Sequence, residues 1–177
     1  MKRGFTLAEL LIALVILGVV ATFTIPKVLN SQAGSERNSK AKEVAGMLSE
    51  AYTVYKGENT PDNNTSVAHL TPYLNYVRVV TTGLFDGVPG PPGDVDCSGV
   101  NIDCYILHSG VIIGFDSTVN FGSAGNKLAL GVDPDGYTGN SDSVGFILNK
   151  NGRITSYADD PVLSGAGYGD PAWFSWD

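Results

Sequence analysis

The chain has 177 residues, with 11 basic and 18 acidic side chains, a formal net charge of -7, 22 glycines and only 16% charged residues. This length fits one globular domain plus an anchor. The acidic balance excludes a general nucleic-acid-binding protein, which needs a basic surface. Abundant glycine and few charges favour a loop-rich exported domain over a compact cytosolic enzyme.

The chain begins with a long apolar segment. Residues 5–25 are apolar apart from three threonines and one charged residue, Glu9. A helix needs about 20 apolar residues to cross a bilayer, and a helix pairs all of its backbone polar groups internally, as lipid requires. Lys2 and Arg3 precede the segment, which predicts a cytoplasmic N-terminus and export of the remaining chain.

Glu9 is unusual in this segment because a carboxylate inside a membrane span is costly. It either reaches the interface or is protonated there, or it meets a positive charge on a neighbouring subunit. A free α-amino group, created by cleavage before Phe5, would be such a charge. A conventional secretory signal is cut after its apolar segment, where Ala-Thr-Phe at 21–23 is a poor site. A generic single-span anchor is the alternative.

A resemblance to a known family rests on the segment GFTLAELLI. It resembles the class III signal of type IV prepilins and type II secretion pseudopilins. The resemblance implies that a membrane peptidase cuts between Gly4 and Phe5 and then N-methylates Phe5. It also implies that Glu9 pairs with the N-terminal amine of a neighbouring subunit and sets its register in a filament. Gly18 and Pro26 match family positions that bracket a stretch able to lose helical order on assembly.

A helical pattern resumes after Pro26, which predicts a kink, and Gly57 predicts the helix end. Apolar residues recur at three- and four-residue steps and form one stripe: Ala41, Val44, Ala45, Leu48, Ala51, Tyr52 and Tyr55. A helix with one apolar face must bury that face against another element. The chain therefore divides into a cleaved leader (1–4), a transmembrane and assembly helix (5–26), an amphipathic helix (27–57) and an exported β-rich head domain (58–177).

The head domain is predicted to be mostly antiparallel β-structure. Residues 67–74 indicate a short helical turn, and 76–80 is β-branched and indicates a strand. Further strands are predicted at 105–107, 111–115, 127–132, 144–148 and 153–157. The last two flank an Asn-Gly pair, the strongest short signal for a hairpin. The expected fold is α+β, with the long N-terminal helix packed on a four- to five-stranded antiparallel sheet. The resemblance implies the same pilin-like arrangement.

Two cysteines, Cys97 and Cys104, lie in the predicted exported part, where disulfides persist. A metal site would need more ligands, and neither histidine is close in sequence. We therefore predict a disulfide that closes the loop 97–104. The glycine- and proline-rich residues 83–99 predict an irregular surface loop, for which a recognition role and a merely decorative role are both open.

A candidate calcium site follows the third predicted strand of the meander. Its oxygen ligands would come from Asp133, Asp135, Asn140 and Asp142. The segment loosely resembles an Asp- and Gly-containing stretch in the sheet of many pilins and pseudopilins. In the major pseudopilins a nearby loop binds calcium. Asp135 here replaces the usual Asn. The alternative is a plain turn that uses Asp, Gly and Asn for their backbone tolerance.

Enzymatic activity is not expected. His69 and His108 have no Ser, Cys or carboxylate neighbours at a recognisable catalytic spacing, and the sequence contains neither a nucleophile elbow nor a phosphate loop. The aromatic segment 170–177 either contacts a partner or folds back and caps the sheet, and capping is favoured.

The leading hypothesis is therefore a structural subunit of a type IV pilus or of a pilus-like type II secretion filament. The expected partners are other copies of the chain, the prepilin peptidase and methyltransferase, an inner-membrane assembly platform and the membrane, without nucleic acid. No cofactor is expected apart from the candidate calcium. The protein would be a single-pass inner-membrane protein before assembly and a periplasmic or cell-surface filament afterwards. The alternative is a minor pilin or a membrane-anchored binding module that recognises a ligand or surface.

Overall fold

The computed structural model describes residues 6–80, 97, 101–136, 143–160 and 170–177. The chain forms two compact units, Met1–Glu36 and Arg37–Asp177. One helix, α1 (Leu7–Glu58, 52 residues), contributes to both of them. The helix continues through Pro26, which removes only one backbone hydrogen bond, and it ends one residue after Gly57. The kink predicted at the proline stays a prediction.

The second unit contains a six-stranded antiparallel sheet in which each strand pairs with the next one along the chain. Its strands are β1 (Tyr76–Val80), β2 (Ile102–Leu107), β3 (Ile112–Asp116), β4 (Lys127–Asp133), β5 (Val144–Asn149) and β6 (Ile154–Ser156). The predicted antiparallel meander is confirmed. The predicted count of four to five strands was too low, because Tyr76–Val80 pairs with β2 and becomes an edge of the same sheet.

The hairpin between β5 and β6 forms at the predicted Asn-Gly pair. The Asn149 N–H donates to the Arg153 carbonyl at 2.9 Å, and Gly152 has a φ of 94°. A positive φ is strained for residues with a Cβ, which explains why glycine is suited to this turn. The predicted short helical turn is also present, as a 3-10 helix over Val67–Tyr73.

The main core lies between the second half of α1 and one face of the sheet. The predicted stripe is buried, with Leu48 and Tyr52 at 0% and 1% exposure. On β4 the inward-facing Leu128 and Leu130 alternate with the exposed Ala129, as a strand with one covered face requires. Each fully buried Leu or Phe side chain stabilises the fold by about 1.5–3 kcal/mol. The remaining sheet residues in this core include Leu107, Ile113, Phe115, Val132, Val144, Phe146 and Leu148.

Candidate functional site

The first turn of α1 is closed by a reciprocal capping box between Thr6 and Glu9. The Glu9 backbone N–H donates to the Thr6 hydroxyl oxygen at 3.3 Å. In return, the Thr6 backbone N–H and hydroxyl both donate to Oε2 of Glu9, at 2.8 and 2.7 Å. These bonds satisfy donors that a helix start leaves unpaired. Glu9 therefore has a local structural role that the sequence analysis missed, although the Thr-x-x-Glu spacing is the usual signal for it.

The apolar part of α1 is exposed throughout the first unit. Its large side chains range from 47% exposure at Val28 to 78% at Leu7. An 18-residue window of the helix has a mean hydropathy of 2.5, and none of that window is buried. By length and composition, this helix could cross a membrane. An exposed apolar surface of this size requires lipid or another apolar partner.

Two threonine hydroxyls keep the polar groups of this segment paired inside the helix. Thr22 Oγ1 donates to the carbonyl of Gly18 at 2.8 Å, and Thr24 Oγ1 donates to that of Val20 at 2.9 Å. Back-bonding of this kind avoids unpaired hydroxyls in lipid and often bends helices. Pro26 follows about one turn later, and it has no backbone N–H to donate within the helix. The predicted assembly role of this stretch stays a prediction, as does that of Glu9.

The predicted processing site, Gly4 and Phe5, lies outside the described residues.

The described part of the candidate calcium segment carries other bonds. Asp133 Oδ1 accepts the backbone N–H groups of Asp135 and Gly136, both at 3.2 Å, and Asp135 Oδ2 pairs with Arg37 at 3.0 Å. Gly136 has a φ of 72°, and a Cβ there would lie 2.3 Å from the carbonyl oxygen of Gly110, so only glycine fits this turn.

Only two of the four candidate calcium ligands, Asp133 and Asp135, lie within the described ranges. No group of three or more His, Cys, Asp or Glu side chains within the described ranges is arranged to hold a metal. Asn140 and Asp142 fall outside those ranges. Burial of Asp133, followed by its contact with the neighbouring Asp135, raises the Asp133 pKa from 3.8 to about 7. The structure therefore shows a buried acid beside an ion pair, and calcium binding remains a prediction.

The predicted disulfide between Cys97 and Cys104 is present. It lies on the face of the sheet opposite α1, because Cys104 alternates with Tyr105, whose side chain belongs to the main core. Cys97, Cys104 and Ile112 form a second buried cluster, which Ile102 and Ile106 extend. The disulfide therefore joins Cys97, which precedes β2 in the chain, to the outer face of the sheet.

The two histidines do not form a catalytic site with the described residues that contact them. His69 Nδ1 accepts the Ser66 backbone N–H at 3.2 Å and lies 3.0 Å from the Ser66 hydroxyl, at the start of the 3-10 helix. Ser66 is only 5% exposed, so the hydroxyl is poorly placed to meet a substrate. This contact serves as a helix cap. His108 is exposed in the turn after β2.

The aromatic segment 170–177 folds back onto the second unit, so the capping interpretation is confirmed. Phe174 is 7% exposed, and its ring centroid lies 5.6 Å from that of Phe146 on β5. Trp176 also contacts Phe146, at 5.6 Å, and its indole N–H donates to Asp159 Oδ2 at 3.0 Å. Trp176 nevertheless remains 42% exposed, so part of the aromatic surface stays available.

Comparison with known proteins places the family resemblance at the N-terminus. Residues 1–25 match the family described as "Prokaryotic N-terminal methylation motif". The chain carries a prepilin-type methylation motif. The methylation motif covers the predicted processing site and the exposed half of α1 up to the residue before Pro26. The resemblance proposed from the sequence is therefore confirmed.

One curated relative extends this similarity. The type II secretion system core protein G of Pectobacterium carotovorum subsp. carotovorum is 33% identical over 58 residues, which is 33% of this chain and 36% of that protein. The chain thus matches about a third of the length of the relative. No solved structure matches the chain.

Proposed function

We propose that the chain is a structural subunit of a pilus-like filament, of the type IV pilus or type II secretion kind, processed between Gly4 and Phe5. The observation that carries the proposal is that the methylation motif opens a helix whose apolar side chains are exposed in the folded chain. Such a surface is stable in a bilayer and equally stable when it packs against apolar helices of other copies. One helix can therefore store the subunit in the membrane and later form the filament core.

Glu9 has two connected roles in this proposal. Its capping box with Thr6 holds the carboxylate at the start of the helix. The apolar run continues at the residue after Glu9. Cleavage would create a free amine at Phe5, directly before Thr6 in sequence. A cationic amine on a neighbouring copy would compensate the charge of Glu9 in an apolar filament core, where an unpaired carboxylate is costly.

The proposed role is structural. Peptidase and methyltransferase would act on the chain, and an inner-membrane assembly platform would extract it from the bilayer. The basic residues before the apolar segment favour a cytoplasmic N-terminus. The sheet unit would then lie in the periplasm, consistent with its disulfide, and would form the outer surface of the filament.

The experiment is to measure the mass of the N-terminal peptide from membranes and from sheared surface material. We expect a chain that starts at N-methylated Phe5 in both fractions. High abundance in the sheared fraction would identify an extended pilus, and low abundance a short pseudopilus. A chain that keeps Met1, or that begins beyond Ala21, would contradict the proposal.

Two matched variants test the role of the carboxylate. Glu9→Gln keeps an oxygen for the capping box but removes the charge, so we expect normal cleavage with loss of filaments. Glu36→Gln makes the same change on the same helix and is expected to assemble normally. Equal assembly of both variants would refute the charge-pairing role of Glu9.

A further inference from the structure

A groove runs along the second half of α1 beside the start of β1. It has a volume of about 450 Å³. The described residues that line it are Met47, Glu50, Ala51, Val54, Tyr73 and Asn75. Val54 is 43% exposed, so the apolar wall of the groove is open to the surroundings. Such a wall gains free energy when another apolar side chain covers it.

The described charges at the groove are negative. Glu50 is exposed and has no hydrogen-bond or ion-pair partner within the described part of the chain. Glu58 lies close to the groove, because its carboxylate accepts the hydroxyl of the lining tyrosine at 2.6 Å. Lys56 projects about 120° around the helix from Glu50, and Lys40 lies about 15 Å earlier along the axis. Arg78 pairs in register with a residue of the outer sheet face. The groove therefore suits an apolar partner that carries a cation.

A glycine on the same side of the helix has no explanation within the chain. Gly46 lies inside α1, about one turn before Glu50, and is exposed. Glycine lowers the stability of a helix interior relative to alanine. A Cβ at Gly46 would meet no atom within 4 Å, so no neighbour in the chain excludes a side chain there. The missing side chain instead leaves room for a second helix to approach the backbone.

One segment of the chain has the complementary character. Lys27 is the only charged residue between Glu9 and Glu36, and it is exposed. Phe23 precedes Lys27 by four positions, which places both side chains on one face of the helix, and its ring is 76% exposed. We call this surface the Phe23–Lys27 face. It belongs to the half of α1 that folding of a single chain leaves uncovered.

We propose that the Phe23–Lys27 face of one copy docks in the groove of a second copy, with the Lys27 ammonium against the Glu50 carboxylate. The inference rests on the proposed filament function and names a contact surface for it. A filament that repeats one contact has all copies pointing the same way, so the two helices run parallel. Phe23 then lies level with Gly46, because each residue precedes its charged neighbour by four positions. There the ring can approach the helix backbone and contact the sulfur of Met47.

The two surfaces also determine the kind of assembly. The groove and the Phe23–Lys27 face are different surfaces on different halves of α1, so their contact is heterologous. Each copy can use both surfaces at once, and the contact therefore extends into a filament instead of closing into a dimer. Opposite charges favour this pairing over groove against groove, where two copies of Glu50 would repel each other.

Cysteine cross-linking tests the contact in cells that express the full-length chain. A variant with both Lys27→Cys and Glu50→Cys carries one cysteine on each surface, and 23 positions of one helix keep them from pairing within a chain. The native cysteines are already paired with each other. After mild oxidation we expect a ladder of linked chains, with the link between positions 27 and 50 identified by mass spectrometry.

The controls for this experiment share its chemistry. Each single-cysteine variant, and a variant with Lys27→Cys and Lys56→Cys, should give no ladder, because Lys56 projects away from the groove. Filaments of the variant with Lys27→Cys and Glu50→Cys that give no ladder would overturn the proposal. An equal ladder with Lys56→Cys would overturn it as well.

Charge exchange provides a second test, with filament yield as the readout and the N-terminal peptide mass as a check of processing. Lys27→Glu and Glu50→Lys are each expected to lower the yield roughly tenfold, because like charges then meet at the contact. The combined variant restores opposite charges and should recover most of the yield. Lys56→Glu makes the same charge change on another side of the helix and should assemble like the native chain. A combined variant no better than its parents would overturn the charge pairing.

Gly46→Leu tests the close approach of the two helices. The variant should unfold at no lower temperature than the native chain in detergent micelles, because the new side chain meets open space and leucine favours a helix. Its filament yield should nevertheless fall, since the leucine occupies the room that the Phe23 ring needs. Native assembly of Gly46→Leu would overturn the proposed register.

These outcomes separate the contact from the function on which it rests. Native filaments, together with normal assembly of Gly46→Leu and no link between positions 27 and 50, would refute the contact and leave the filament subunit intact. A native chain that keeps Met1 and forms no filament would refute both.

Discussion

Replacement of the buried Asp133 by Asn tests the electrostatics of the second unit. The side chain is 3% exposed at the end of β4, and burial together with Asp135 raises its pKa from 3.8 to about 7. Its Oδ1 accepts two backbone N–H groups. The Asp133→Asn variant keeps an oxygen for these two donors and removes the charge. We therefore expect its effect on stability to depend strongly on pH.

The direction of the pH dependence follows from proton binding by Asp133 in the folded and the unfolded chain. Between pH 3.8 and about 7 the folded chain holds a proton on Asp133 that the unfolded chain releases, so stability falls as pH rises through this window. The contribution of protonated Asp133 to the free energy of unfolding is complete below pH 3.8 and is lost above about pH 7. The pKa difference corresponds to an upper value of about 4 kcal/mol. Asn mimics the protonated acid, so Asp133→Asn should be more stable than the native chain at pH 8 and nearly equal to it at pH 4.

The assay is urea unfolding of the full-length chain in detergent micelles, followed by fluorescence of Trp173 and Trp176. We expect the variant to gain up to about 4 kcal/mol at pH 8 and little at pH 4. Asp62→Asn is the matched control, because hydrogen bonds from Thr65 lower the pKa of Asp62. That variant should lose stability at neutral pH, and the loss should vanish as pH falls through the lowered pKa. Destabilisation by Asp133→Asn at both pH values would refute the reasoning.

The same variant decides the calcium prediction. If calcium binds the Asp133 carboxylate, millimolar calcium should stabilise the native chain at pH 8, and Asp133→Asn should abolish that stabilisation. Asp135 could contribute at most its second oxygen while Oδ2 pairs with Arg37 at 3.0 Å. No shift in unfolding and no heat on titration of the native chain with calcium would refute the site.

Two further changes test how the sheet unit is held together. Replacement of both Cys97 and Cys104 by Ser should lower the free energy of unfolding by about 2–3 kcal/mol, as the entropy of a short closed loop predicts, and reductant should then have no further effect. Phe174→Ala should cost about 3 kcal/mol, because the ring is 7% exposed against the core, and tryptophan emission should shift to the red as segment 170–177 loosens. A Phe174→Leu variant that is equally unstable would argue against simple loss of packing.

Periodicity predicted the helix, most of the sheet and the buried stripe because these depend on local patterns. The spacing of apolar residues predicts the stripe around Leu48 and Tyr52, and the Asn-Gly pair predicts the hairpin at Gly152. The pairing of Tyr76–Val80 within the sheet was harder to predict, since its partner β2 begins more than 20 residues later at Ile102 and pairs with it through a register shift. Pairing over such a distance depends on the fold as a whole and leaves little trace in the segment itself.

The site residues illustrate the same limit. The Thr6–Glu9 capping box has a local signal, because its residues stand at the Thr-x-x-Glu spacing. The pairing of Arg37 with Asp135 joins residues 98 positions apart and has no sequence signal. The raised pKa of Asp133 is also invisible in the sequence, because it depends first on burial of the side chain in the folded chain and then on its contact with Asp135.

The two halves of α1 differ in how far their apolar side chains are buried. Leu7–Glu58 is one continuous helix, but Ala41–Tyr52 supplies core residues at 6% exposure or less, whereas large apolar residues before Pro26 are at least 55% exposed. Folding of the single chain therefore buries the apolar side chains of only the second half of the helix. Burial of the other half must come from outside the chain, from lipid or, in the proposed filament, from the helices of other copies.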